Sequence, residues 1–291
     1  MKHTLKVTML LVFIFLVAQV TGLFVINQYI DHKKSAEANK TVMKPLPYGL
    51  ERPQVENQST SFIYITIAIL IGTVLALALA KFNKPLIWKL WFFITVWLTL
   101  SVAFAAFINT IIAAAAALII SILKLYRPNL IIQNISEIFV YGGLATIFVP
   151  IINIFAAFML LIIISIYDFI AVFKTKHMIK LAKFQSKSKV FAGLLVPYDK
   201  GKIQMRAFKT DLQPKSKPKS ARMAILGGGD IGFTLIFSGV VMKSLMLKEA
   251  VLVGFFKTLI ITVFVSLALL LILTKGQKDK FYPAMPVLSL G

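Results

Sequence analysis

The chain has no cysteine, only three histidines and only 11 acidic residues in 291 positions. Without Cys there is no disulfide framework, no zinc–thiolate site, no Cys-ligated iron–sulfur cluster and no cysteine nucleophile. The acids are outnumbered by 32 Lys and Arg, which leaves a formal net charge of +21. Charged residues are 15% of the chain, against about 25% in soluble domains. What is present instead is apolar: 58% hydrophobic residues and a mean hydropathy of +0.85. That balance excludes disorder and an ordinary soluble domain, and describes a polytopic membrane protein.

A helix needs about 20 apolar residues to cross a bilayer. Residues 7–29 form the first such run. It exceeds the roughly 7–15 residues of a signal-peptide core and is read as a retained helix. A polar segment, 31–60, separates it from a second run at 61–80. Residues 86–126 are too long for one span, and Asn109-Thr110 near their middle predicts a hairpin of two helices. Residues 129–173 hold two more, broken near Pro150. Two further spans are expected at 223–242 and 250–274. The last apolar piece, 281–291, is 11 residues long. As helix it reaches about 16 Å, enough to enter the membrane but not to cross it.

The basic residues set the orientation. With the N-terminus inside, the inner segments hold 24 Lys and Arg and the outer segments seven, with Lys257 left alone inside the eighth span. Fourteen of them lie in the segment 174–222, beside only Asp199 and Asp211. No stacking platform or binding motif accompanies those charges, so they read as a cytoplasmic loop facing anionic lipid rather than a nucleic-acid site. Within the loop, 190–196 and 203–208 flank the turn-rich 197–201, which is compatible with a short hairpin. The expected architecture is all-α: a membrane helix bundle of about nine segments, N-terminus cytoplasmic, the ninth short. Residues 1–183 form a six-helix part, 184–222 the basic loop and 223–291 a three-helix part.

Ionisable groups inside apolar spans cost about 2.5–3.5 kcal/mol each at a helix centre, so they mark function. Only Glu137, Asp168 and Asp230 qualify among the acids, and none of His3, His32 and His177 lies in a span. There is no HExxH, so an intramembrane zinc protease is excluded, and a serine nucleophile has no embedded histidine base. Asp168 lies six residues before Lys174, and Asp230 eight residues after Arg222. As helix those spacings are depths of roughly 9 and 12 Å from the inner surface. Pro283 sits at the same mouth, three residues past Lys280. Glu137 reads as a hydrogen bond between helices.

Two carboxylates close together in low dielectric cannot both stay ionised, and one acid beside one base is the pair an aspartic protease uses. Depth alone leaves a coupled-ion transport site equally open. The surroundings of Asp230 favour the dyad. Gly227-Gly228-Gly229 precede it, and three successive glycines cost a helix about 1 kcal/mol each. Helix packing through Gly228 and Gly232 explains one of the three, not the run. Tyr167 precedes Asp168, and Pro283-Ala284-Met285 puts a non-helical element at the same level.

Tyr167-Asp168, Gly227-Gly228-Gly229-Asp230 and Pro283-Ala284-Met285 resemble the YD, GxGD and PAL motifs of the presenilin and signal-peptide-peptidase family. In size the chain is most similar to the archaeal presenilin homologues. The resemblance implies an intramembrane aspartyl endopeptidase with Asp168 and Asp230 as catalytic pair. Tyr167 and the glycines 227–229 would support the active site, and Pro283, Ala284 and Met285 would support it and help dock substrate. The implied substrate is a transmembrane helix that unwinds locally and pairs with a strand edge, offered by 190–196 or 203–208. The implied setting is a cell membrane, with no metal, no organic cofactor and no nucleic-acid partner. Met285 replaces the leucine of PAL, and 281–291 is shorter than the family's ninth span. Two other readings compete: a prepilin-peptidase-like GxGD protease and a proton- or cation-coupled transporter. The first usually has a basic residue soon after the Asp, where this chain has Ile231-Gly232-Phe233. The second predicts paired inverted repeats, and no internal symmetry is visible.

Overall fold

The computed structural model describes residues 4–127, 129–175, 177–188, 190–198, 223–276 and 282–291. Helices dominate: α1 (Leu5–Tyr29), α2 (His32–Ala38), α3 (Ser61–Lys81), α4 (Pro85–Ala105), α5 (Thr110–Tyr126) and α6 (Leu130–Phe148). They are followed by α7 (Ile154–Phe169), α8 (His177–Lys187), strands β1 (Gly193–Pro197) and β2 (Met223–Gly227), then α9 (Gly228–Lys248), α10 (Val251–Lys275) and α11 (Met285–Leu288). Among the described residues seven helices are long and apolar enough to cross a membrane, and Thr110–Tyr126 is a shorter apolar one.

Local chemistry sets the breaks. The Asn109 side chain accepts from the Ile111 N–H at 2.9 Å and starts α5 where the hairpin was expected. Asn129 and Asn153 cap α6 and α7 in the same way, satisfying N–H groups that the first helical turn leaves free. Between α6 and α7 the chain runs through a 3-10 turn, Val149–Ile151. The carbonyls of Val149 and Ile152 there accept from the buried Lys243 ammonium, each at 2.6 Å.

α1 runs through the middle of the bundle, packed against α6, α9 and α10. Small residues permit the close approaches that helices in lipid need. A Cβ on Gly22 would overlap Leu235, and one on Gly143 would overlap the Thr99 carbonyl oxygen. Gln19 on α1 donates to Thr234 Oγ1 at 2.7 Å and to the Ile231 carbonyl at 3.0 Å, tying α1 to α9. α3 stands at the edge; its Ile67, Leu70, Ile71 and Val74 are exposed, an apolar face suited to lipid.

The structure departs from the sequence expectation at the seventh span. Residues 223–227, expected as helix, are strand β2, and α9 begins at Gly228. β2 pairs antiparallel with β1, from Gly193 opposite Gly227 to Pro197 opposite Met223. The glycine run disfavours helix, and a partner strand takes up the backbone groups that a helix would otherwise satisfy. The expected strand 190–196 is thus largely β1, but its partner is β2. The other expected arm, 203–208, lies outside the described residues. The last segment contains the four-residue helix α11.

Candidate active site

Asp168 is the penultimate residue of α7, whose register then loosens into a π-helical turn, Ile170–Lys174. π-turns occur frequently at functional sites. Asp230 sits in the first turn of α9, three residues after its N-cap, Gly227. The Gly227 N–H faces its carboxyl, in the reach-back sense of a capping box. The two acids come within charge–charge range because α7 ends and α9 begins at this level, not through the helical depth count, since 223–227 is strand.

The third element closes on them from 282–291. Met285 donates its backbone N–H to Asp168 Oδ2 at 3.2 Å, and the Ala284 N–H also points to that carboxyl. Ser289 Oγ lies 2.9 Å from Ser165 Oγ one turn below, fixing α11 against α7. Met285 is buried, Pro283 and Ala284 half-buried. The carboxyls of Asp168 and Asp230 are within charge–charge range of each other, and both are half-buried. Among the described residues no cluster of three or more His, Asp or Glu side chains is placed to hold a metal.

The family profile for signal-peptide peptidase and presenilin aspartyl protease matches residues 12–291. The chain belongs to this family. It is an intramembrane aspartyl protease of the GxGD type, built as an integral multi-pass membrane protein. Two solved structures of a presenilin family intramembrane aspartate protease share the fold. The C222 crystal form has a TM-score of 0.56 at 19% identity, covering 98% of this chain and 96% of that one. The P2 form has a TM-score of 0.56 at 18% identity, covering 97% and 92%. No curated protein sequence matches.

The other motif residues take distinct places. The Tyr167 hydroxyl donates to Thr73 Oγ1 on α3 at 3.0 Å and meets His177 Nε2 on α8 at 3.0 Å. It ties the end of α7 to α3 and α8. Gly228 is the most constrained of the three glycines: a Cβ there would overlap the Tyr141 hydroxyl. A Cβ on Gly229 would come no nearer than 3.6 Å to Phe233, an ordinary contact. Burial and the nearby Lys180 ammonium hold the His177 imidazole below its ordinary value.

Three relationships were not visible in the sequence. The outer side of β1 is closed: Leu195 donates its N–H to Asn134 Oδ1 at 2.9 Å, and its carbonyl accepts from Asn134 Nδ2 at 2.8 Å. The segment 190–196 therefore offers no free edge there. Leu195 faces Ile225 across the pair. When one residue of an antiparallel pair turns its backbone groups outward, so does its opposite. Ile225, 50% exposed, thus presents an open edge on β2, with no backbone partner among the described residues. Glu137 forms a buried ion pair with Lys124, a residue that otherwise reads as the basic end of a span. Lys257 is not a lone buried base: it pairs with Glu249 at 2.5 Å, and its side chain is 51% exposed.

Proposed function

We propose that Asp168 and Asp230 are the catalytic pair and that they hydrolyse peptide bonds inside transmembrane helices of other membrane proteins. The observation that carries this reading is that the two carboxyls, at the end of α7 and the start of α9, lie within charge–charge range of each other beside the 283–285 segment. The ionised member takes a proton from water as the oxygen adds to the scissile carbonyl, and the protonated member donates to the carbonyl oxygen. Collapse of the gem-diol returns a proton to the leaving amine and breaks the C–N bond. No metal or organic cofactor has a role in these steps.

A helical peptide bond is shielded by its own hydrogen bonds, so the substrate must unwind near the site. The Ile225 edge, five residues before Asp230, suits an added strand, which main-chain hydrogen bonds would hold extended. In this reading 1–183 and 223–291 are the two membrane parts, each bringing one aspartate. The 184–222 segment links them on the cytoplasmic side of a cell membrane, with the N-terminus cytoplasmic.

The test is cleavage of single-span reporter proteins by purified protein in liposomes. Wild type should cleave, and neither Asp168→Ala nor Asp230→Ala should, with all three equally folded. Activity kept by either variant would overturn the pairing.

A further inference from the structure

Beside Gly228, at the corner where β2 becomes α9, lies a buried polar cluster that the hydrolysis itself does not use. Glu137 is its centre, with a side chain only 1% exposed. Its Oε1 accepts from the Lys124 ammonium and from Gln133 Nε2 at 3.2 Å. Its Oε2 accepts from the Tyr141 hydroxyl. Lys124 also donates to Ser136 Oγ at 2.9 Å. A buried carboxylate with this many donors is held in one place, because every group that moved would lose a partner in low dielectric.

Two arms lead from this carboxylate to the corner where β2 becomes α9. Through Gln133, which also donates to the carbonyls of Phe191 at 3.0 Å and Gly193 at 2.9 Å, it holds the start of β1. Gly193 pairs with Gly227, and the Gly228 N–H donates to the Ala192 carbonyl at 3.2 Å. Through Tyr141 it sets a hydroxyl against the Cα of Gly228, two residues before Asp230 and within charge range of its carboxyl. Both arms end on 227–228, the backbone from which Asp230 springs.

The geometry points to Glu137 and Tyr141 as positioning residues for Asp230: the Lys124-held carboxylate fixes the Tyr141 hydroxyl and the Gln133 amide, and these fix the strand-to-helix corner that aims the catalytic carboxyl. This inference rests on the catalytic reading of Asp230. It also accounts for a glycine at 228, since any side chain there would displace Tyr141 from Glu137. Misplacement of a reacting group by about 1 Å costs on the order of 100-fold in rate, so the effect belongs in kcat rather than in substrate affinity.

The test uses full-length protein in liposomes, a cleavable single-span reporter, and the variants Tyr141→Phe, Glu137→Gln, their double and Asp230→Ala. Tyr141→Phe keeps the ring and its packing and removes only the hydroxyl. It should lower kcat about 10- to 100-fold with KM unchanged, and should displace a limb of the pH–rate profile, at wild-type thermal stability. On the Glu137→Gln background the same change should cost almost nothing more, because the link is already cut. Wild-type kcat and pH profile in Tyr141→Phe, or fully additive losses in the double, would overturn the positioning role. If Glu137→Gln does not fold, Tyr141→Phe alone decides. Cleavage retained by Asp230→Ala would instead overturn the catalytic reading beneath it.

Discussion

Met285 reaches Asp168 through its backbone: its N–H donates to Asp168 Oδ2 at 3.2 Å, while its side chain is buried in the main core. The apolar side chain therefore fills space, and in the proposed mechanism the main chain positions the Asp168 carboxyl. Met285→Leu, which restores the family's PAL pattern, is expected to keep kcat within about twofold, as volume-conserving apolar exchanges do. Met285→Pro deletes the donor and disfavours the αR backbone of Ala284. It should lower kcat by about 10- to 100-fold. Reporter cleavage by the two variants at matched folded concentration checks both.

The strand edge makes a second prediction. Ile225 turns its N–H away from β1, whereas Ala224, opposite Val196, turns its own toward β1. Ile225→Pro removes an outward donor and leaves the β1–β2 ladder intact, so it should slow cleavage with little loss of stability. Ala224→Pro breaks the ladder and should lower both. Equal cleavage by wild type and Ile225→Pro would place the substrate elsewhere.

Most of the bundle was legible because membrane spans are written in long apolar runs and their breaks in Asn, Pro and Lys. Asn109 and Asn153 cap the helices beside the breaks that the sequence marks at Asn109-Thr110 and Pro150. The two candidate aspartates stood out in the sequence because so few acids interrupt the apolar runs. The start of α9 was not. Residues 223–227 are apolar enough to continue a span, and only their pairing with a strand some thirty positions earlier makes them β2. The closed outer side of β1 was equally hidden, since it depends on Asn134 reaching across from α6. The Glu137–Tyr141 contact spans four residues of one helix, a spacing that places both on one face. The approach of Tyr141 to Gly228 had no local signal at all.

Two glycines on lipid-embedded helices should respond in opposite ways to alanine. A Cβ on Gly143 would overlap the Thr99 carbonyl oxygen of α4, whereas a Cβ on Gly72 meets nothing within 4 Å. Gly143→Ala should destabilise the α4–α6 contact by about 1–3 kcal/mol, the usual range for overpacking. Gly72→Ala should be neutral or stabilising by up to about 1 kcal/mol, through helix propensity. Thermal unfolding in detergent separates the two.

His177 supplies a pH dependence outside the spans. Its imidazole is held below its ordinary value by burial and then by Lys180, so the folded state favours the neutral ring. The unfolded chain therefore binds the proton more readily, and stability falls as pH drops from about 6.5 toward the folded value. The groups facing the ring are Tyr167, Thr175 and Lys180. Unfolding followed at pH about 7.5 and about 5 should show a larger loss for wild type than for His177→Gln. An equal loss in both would remove His177 as the source.

The most direct test of the central claim is a double-mutant comparison at the dyad. Asp168→Asn and Asp230→Asn keep the shape of each side chain and remove its ability to exchange a proton. Two groups that act as one unit lose nearly everything together, so each single variant should drop single-turnover cleavage by on the order of 10⁴-fold and the double should drop it no further. Losses that multiply in the double, or a single variant with wild-type turnover, would contradict a shared catalytic pair.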